Sequence, residues 1–357
     1  MSGFEGFFLM AERLAETAED VSRLAFGFMT SKALFAALHV DVFSQLADGP
    51  KTARTLAKKT SVPVNRITTL MTALTAIGLV DREEDSYFNA PGATDFLVRG
   101  ARHDFGDYLR YQIDKQMYPF LTQLNEVLDG SLDPEAVDSY QHWMSDPEQA
   151  TLYSEAQHAG SLGPGRTLAR LIDLSDCHNL LDVGGGTGSM TIQLLETFPE
   201  LVSTIIDFPN VAEIGWRFIS EAGMVDRVRY IPANALKTEW PTEQDAILMS
   251  YLFSGVPGSE LPRLVQQAYD CLAPGGHFIV HDFMVEDDRT GPPMAALWQL
   301  QHMAFTPDAR SVTPGWLKGR MAAIGFTMPH DEEMVPGMTR LIHARRPKQR
   351  STRTAQG

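Results

Sequence analysis

Apolar residues recur along this chain in two rhythms. Over residues 1 to about 48 they fall at mixed spacings of three and four, at Phe7, Phe8, Leu9, Leu14, Val21, Leu24, Ala25, Phe28 and Met29, which predicts helices. A lone helix pair could not bury so many. Either the pair packs on the rest of the chain or, the reading preferred here, it forms an intertwined dimer surface. Residues 53–90 then predict a short helix, Ala53–Lys59, and a second, Val64–Leu79, with Ile67, Leu70, Met71, Leu74 and Ile77 on one face. A hairpin, Val80–Phe88, turns around Glu83-Glu84-Asp85-Ser86. That is the layout of a winged helix-turn-helix.

From Arg166 the rhythm changes. Helical stretches alternate with short apolar runs at 180–183, 202–206, 228–231, 245–251, 277–281 and 339–344. This predicts a mostly parallel, doubly wound α/β sheet. Ligands of such sheets sit at the carboxyl ends of the strands, here Gly184–Gly188, Asp207, Asn234, Ser250–Ser254 and Asp282. Between the two halves lies an aromatic and polar stretch: Tyr108, Tyr111, Asp114, Lys115, Tyr118 and Phe120, then Tyr140, His142, Trp143, Tyr153, Gln157 and His158. Its place beside the strand ends suggests a pocket wall. Gly160 to Gly165, with Pro164 among them, is expected to break the helical pattern. The expected division is a helical, winged-helix domain over 1–112, an α/β-sheet domain over 113–345 in which 113–165 are linking helices that line the pocket, and a basic, frayed tail over 346–357.

At 357 residues with 44% hydrophobic content, the chain can bury a sizeable core. A net charge of −15 disfavours nucleic acid, whose phosphates need Lys and Arg. The second helix of the winged motif offers only Arg66, its wing is acidic, and Lys58 and Lys59 are too few for a phosphate footprint. A structural role is expected there. Cys177 and Cys271 fit no metal-ligand spacing and read as free thiols in a reducing compartment. No run of apolar residues approaches 18, so no membrane partner is expected, and the location read from the sequence is cytoplasmic.

The most telling stretch is Leu181-Asp182-Val183-Gly184-Gly185-Gly186-Thr187-Gly188-Ser189-Met190. It is a strand, a glycine turn and a helix. Glycine suits positions of positive φ or close ligand approach, and the helix offers free N–H groups to an anionic or polar ligand. A second strand ends in Asp207, an acid placed to take both hydroxyls of a ribose. The order acid-x-G-x-G-x-G fits S-adenosylmethionine better than a dinucleotide.

Together with I-D-F-P at 206–209 and A-P-G-G at 273–276, this set resembles the two-domain, dimeric S-adenosylmethionine-dependent small-molecule O-methyltransferases of plants and bacteria. The likeness runs from about residue 20 to 345. It implies a class I methyltransferase fold, a homodimer, and S-adenosylmethionine as co-substrate. It implies that Gly184, Gly186 and Gly188 cradle the methionine part, that Asp207 binds the ribose, that Asn234 lies near the adenine and Ser161 contacts the carboxylate, and that Asp182, Phe208, Ala235 and Ser250 also belong to the co-substrate site. The pocket positions it implies are Tyr153, Gln157, Trp298 and His302. Tyr111, His142 and His281 are further positioning candidates, and Asp282 lies near the expected methyl position.

One departure matters most. The family reads V-L-H-D-W-S-D after its fourth strand, and the His is its general base. Here Ser254 stands in place of that His and Gly255 in place of the Asp. The supporting Glu of the family is replaced by Ser311 or Arg310, depending on register. An unactivated serine cannot take a proton from a phenol at neutral pH. A thioether sulfur attacks through a lone pair and has no proton to lose. The segments L-M-S-Y-L-F-S-G-V-P-G and V-H-D-F-M-V-E-D-D-R look like the bacterial methylthiohydroxybutyrate S-methyltransferases of dimethylsulfoniopropionate synthesis. The leading expectation is therefore S-methylation of a small thioether hydroxy acid without a base. The alternatives are O-methylation with His281 or His302 as a displaced base, N-methylation of an amine, a methyltransferase-like protein doing other chemistry, and a winged-helix regulator. No metal is expected. His277 and His281 on a strand stand about 13 Å apart, and Glu286, Asp287 and Asp288 read as a solvated loop.

Overall fold

The computed structural model describes residues 15–132, 140–306 and 308–348. Phe7, Phe8, Leu9 and Leu14, and most of the basic tail, lie outside them. The chain divides into two compact units, one ending at Pro119 and the other running on from Phe120.

The amino-terminal unit opens with the helix Ala18–His39. A capping box starts it: Asp20 donates its N–H to Thr17 Oγ1, and Thr17 donates its own to the Asp20 carboxylate. Phe35 and Leu38 bury the end of this helix, while Val21, Leu24 and Phe28, earlier on the same stripe, are exposed. By length and composition the helix could cross a membrane, with a mean hydropathy of 1.2. That qualifies the expectation of no spanning segment, which counted only unbroken apolar runs. The winged layout follows: helices Ala53–Thr60 and Val64–Ala76, and a small sheet of β1 (Lys51–Thr52), β2 (Val80–Glu83) and β3 (Ser86–Asn89) in the order β1-β3-β2. The second helix stops at Ala76 and not at Leu79. Gly78 takes a φ of 75°, and the N–H of Leu79 turns back to the carbonyl of Leu74. Tyr111 sits on a π-helical segment, Tyr108–Met117, its ring flanked by Arg110 and Lys115.

In the second unit, β4 (Asn179–Val183), β5 (Val202–Asp207), β6 (Val228–Pro232), β7 (Gln244–Ser250) and β8 (Leu272–Asp282) are parallel, and β9 (Thr327–Val335) and β10 (Thr339–Arg345) complete the sheet. The order is β6-β5-β4-β7-β8-β10-β9, with β10 antiparallel to both its neighbours. Alternation along the strands builds two core layers. Leu181, Ile206, Met249 and Val280 face one, and Leu180, Ile205, Leu248 and Ile279 face the other. Cys177 and Cys271 are buried free thiols. His277 and His281 lie on β8 as expected, and no group of three metal-ligating side chains occurs among the described residues.

One expected break is absent. The helix Pro147–Leu171 runs straight through Gly160–Gly165, carrying Pro164 inside it. The reason is packing. A Cβ at Gly165 would stand 2.9 Å from Gln193 Cγ and 3.3 Å from the Ser189 carbonyl, so glycine here lets this helix press on the helix Ser189–Thr197. Burial at that crossing outweighs the intrinsic cost of glycine and proline.

Candidate active site

The loop after β4 is held by its backbone. Gly184, Gly186 and Gly188 have φ of 70°, 59° and 77°, which side-chain-bearing residues rarely adopt. They divide the work. A Cβ on Gly186 would meet nothing within 4 Å, so that position lies open. A Cβ on Gly188 would stand 2.9 Å from Ile205 Cδ1 and 3.0 Å from Ile219 Cδ1, so Gly188 lets the loop sit on the core and does not line the cavity. The N–H of Gly186 donates to Asp207 Oδ2 at 2.7 Å, and the N–H of Phe208 donates to Oδ1 at 2.7 Å. Tyr230 donates its hydroxyl to the Gly186 carbonyl at 3.0 Å. His158, stacked on Phe218, bonds Thr187 Oγ1 through Nδ1 at 2.8 Å.

Two acids lie beneath and beside this loop. Burial pushes the Asp182 carboxyl up to about 7, against the hydrogen bond from Thr191. Burial pushes Asp207 up to about 6, against the bonds from Gly186 and Phe208. The second oxygen of Asp182 has no partner among the described residues. A buried carboxylate oxygen with no donor suits a ligand that supplies one. Asp207, with two N–H donors already, keeps lone pairs free for hydroxyls. An amino-acid ammonium and a ribose diol carry these donors, so the residues present fit S-adenosylmethionine.

The cavity beyond has a volume of about 500 Å³. Ser161, Asp182, Gly184, Gly186, Asp207, Phe208, Asn234, Ala235 and Ser250 line it, as do Tyr153 and Gln157. The amide of Asn234 is engaged on both sides, accepting from the Leu236 N–H and donating to Gln141 Oε1. Gln157 donates to the Tyr153 hydroxyl at 3.2 Å, and burial pushes that phenol up to about 12.

Other expected positions lie elsewhere. Trp298 is stacked on Phe283 with centroids 4.6 Å apart, outside the lining. His302 lies behind the wall, its Nδ1 3.3 Å from the Tyr140 hydroxyl, and burial lowers its pKa to about 3. His281 has both ring nitrogens bonded, to Ser250 and Thr339, and burial lowers it to about 3 as well. Asp282 is fully buried and accepts the N–H groups of Ser254 and Phe283; burial raises it to about 6. Tyr111 belongs to the amino-terminal unit. His142 is on the short helix Tyr140–Trp143, and its side chain lies outside the described residues. Ser254, in place of the family His, is fully buried under the wall and does not line the cavity. Among the described residues no histidine lines it.

Sequence reasoning missed Gln141, Met144, Ser154, Lys237 and Asp308 as lining residues, and left Tyr140 as a general pocket candidate. Ser154 had a signal: Ser154, Gln157 and Ser161 form a polar stripe at spacings of three and four. Gln141, Lys237 and Asp308 carried no comparable pattern.

The sheet order, the glycine turn and the acid at the end of the next strand define a class I methyltransferase fold. Residues 135–326 match the O-methyltransferase domain, and residues 22–99 match the O-methyltransferase dimerisation domain. The chain belongs to this family and is an enzyme, a methyltransferase that uses S-adenosylmethionine as co-substrate. It is 28% identical to a 3-hydroxy-5-methyl-1-naphthoate 3-O-methyltransferase of Streptomyces sahachiroi, over 79% of this chain and 82% of that one. It is 26% identical to the N,N-dimethyltransferase OxyT of Streptomyces rimosus, over 89% and 93%. The structure of human N-acetylserotonin methyltransferase in complex with S-adenosylmethionine superposes with a TM-score of 0.82, at 20% identity, over 95% of this chain and all of that one.

Proposed function

We propose that the enzyme methylates the thioether sulfur of a small hydroxy acid, 4-methylthio-2-hydroxybutyrate, by in-line transfer without a general base. The observation that carries this reading is the wall: Ser254 is fully buried where the family has its base, and no histidine among the described residues lines the cavity. His281 and His302 are too weak as bases, at about 3, to draw a proton from a phenol. A sulfur lone pair needs no such help. The chain's task is then to hold the sulfur in line and to exclude water. Tyr140 and Tyr153, whose rings meet edge to face at 6.2 Å, give the product cation an aromatic wall. Tyr153, Gln157 and Ser154 offer hydrogen bonds to the acid and hydroxyl groups. The likeness of segments 248–258 and 280–289 to the methylthiohydroxybutyrate S-methyltransferases supports the same substrate.

A second reading, O-methylation of a hydroxyl, rests on the contact between Tyr140 and His302, a path for a proton out of the wall. The homologue that methylates nitrogen leaves amines as a lesser variant. The pH dependence separates the first two. With no base to titrate, kcat at saturating donor stays level from pH 8 to 6. The donor KM rises as pH falls through about 7 and then about 6, because Asp182 and then Asp207 take up protons and lose capacity to accept the donor's N–H and O–H groups. A kcat that falls steeply below pH 7, and loses that fall in His302→Gln, would establish the second reading.

We further infer a homodimer through the helix Ala18–His39. The match to a dimerisation domain and the exposed stripe Val21, Leu24 and Phe28 support it.

A further inference from the structure

Three side chains run in series from the cavity into the sheet. Ser250, at the end of β7, lines the cavity, and its Oγ lies 2.8 Å from His281 Nδ1. His281 Nε2 lies 2.9 Å from Thr339 Oγ1. Thr339 Oγ1 also accepts the backbone N–H of Val335 at 3.2 Å. His281 is fully buried and Thr339 is 1% exposed. A neutral imidazole has one proton, so one nitrogen donates and the other accepts.

Only one assignment satisfies every group. If Nε2 carried the proton, Thr339 would accept from both Val335 and His281. Its own hydroxyl proton would then be buried without an acceptor, which buried hydroxyls seldom are. If Nδ1 carries the proton, Thr339 donates to Nε2 and His281 donates to Ser250 Oγ. The Ser250 hydroxyl then has one direction left for its proton, the cavity.

We propose that Thr339 and His281 aim the Ser250 hydroxyl proton at a lone pair on the molecule bound in the cavity. Thr339 and His281 are positioning residues, and Ser250 is the group that touches the ligand. The arrangement favours an oxygen or an unprotonated nitrogen at that point, to which the Ser250 hydroxyl donates. β7 runs beside β4 with Leu248 opposite Asp182, so Ser250, two residues on, ends level with the glycine loop. That places the recognised atom on S-adenosylmethionine, and the inference holds whichever atom of the acceptor is methylated.

The test is nitrogen-15 NMR of the histidine side chains in the full-length protein, with the His281 signals assigned by their loss in His281→Gln. The expected result is a protonated Nδ1 and a bare Nε2. A protonated Nε2, or a charged ring, overturns the proposal. Calorimetry with S-adenosylhomocysteine gives the second reading. Ser250→Ala should weaken binding about five- to tenfold, the worth of one hydrogen bond. Thr339→Val should weaken it similarly, and Thr339→Ser should restore it. A purely structural role would lower the melting temperature and leave the affinity alone. Unchanged affinity in Ser250→Ala overturns the proposal, and the NMR result stands on the unaltered protein even if Thr339→Val fails to fold.

Discussion

The two ends of the cavity are built differently. The glycine-loop end comes from one run of consecutive residues, 182–189, plus Asp207, and its shape is set by backbone angles and N–H groups. The opposite wall is assembled from Tyr140, Tyr153, Thr306 and Asp308, which come from separate stretches of the chain and present side chains to the cavity. The first end suits a co-substrate that every family member shares. The second can change one residue at a time, and Ser254 marks such a change. The glycine-loop end rests on backbone geometry, and the opposite wall on side chains.

Substitutions can break that contrast. The largest effect is expected from Asp207→Ala, which removes the carboxylate that fixes Gly186 and that we propose as the acceptor for the ribose hydroxyls. Two charge-assisted hydrogen bonds at about 1.5 kcal/mol or more each imply at least a hundredfold loss of S-adenosylhomocysteine affinity. Calorimetry measures it, and an affinity within threefold of the parent would remove Asp207 from the site.

Next come the glycines, which test whether the loop separates packing from binding. Gly188→Ala combines a left-handed φ with contacts at 2.9 and 3.0 Å to isoleucines. It should cost about 2–4 kcal/mol of stability, read in denaturant unfolding. Gly186→Ala, with open space around it, should cost about 1 kcal/mol and chiefly weaken donor binding. Equal stability losses would contradict the division. The smallest effect belongs to Tyr230→Phe, which deletes only the bond to the Gly186 carbonyl. A loss of about 1 kcal/mol, or about fivefold in donor affinity, is expected from titration.

The same contrast explains what could be read from the residues. The six expected strands occur within a residue or two at most ends, though β8 begins earlier, at Leu272, because the segment Leu272–Gly276 is too rich in glycine and proline to look like strand. β9 escaped altogether. Its sequence, Thr-Met-Pro-His-Asp-Glu-Glu-Met-Val, is polar and holds a proline, both of which an edge strand tolerates. The helix through Gly160–Gly165 was hidden because its support, Gln193 and Ser189, lies a domain element away. The glycine loop was legible because its function needs adjacent residues of unusual backbone geometry. Trp298 and His302 lie outside the lining because it depends on which helix face turns inward, and their contacts are with Phe283 and Tyr140.

The central claim is that no histidine base lines the wall, among the described residues, because the acceptor needs none. Release of S-adenosylhomocysteine by the purified protein tests it most directly, with S-adenosylmethionine and 4-methylthio-2-hydroxybutyrate, and with the corresponding oxo acid, methionine and a catechol as comparators. The account predicts turnover with the hydroxy acid and none with the catechol. Turnover with the catechol alone would contradict it and assign the enzyme an oxygen acceptor.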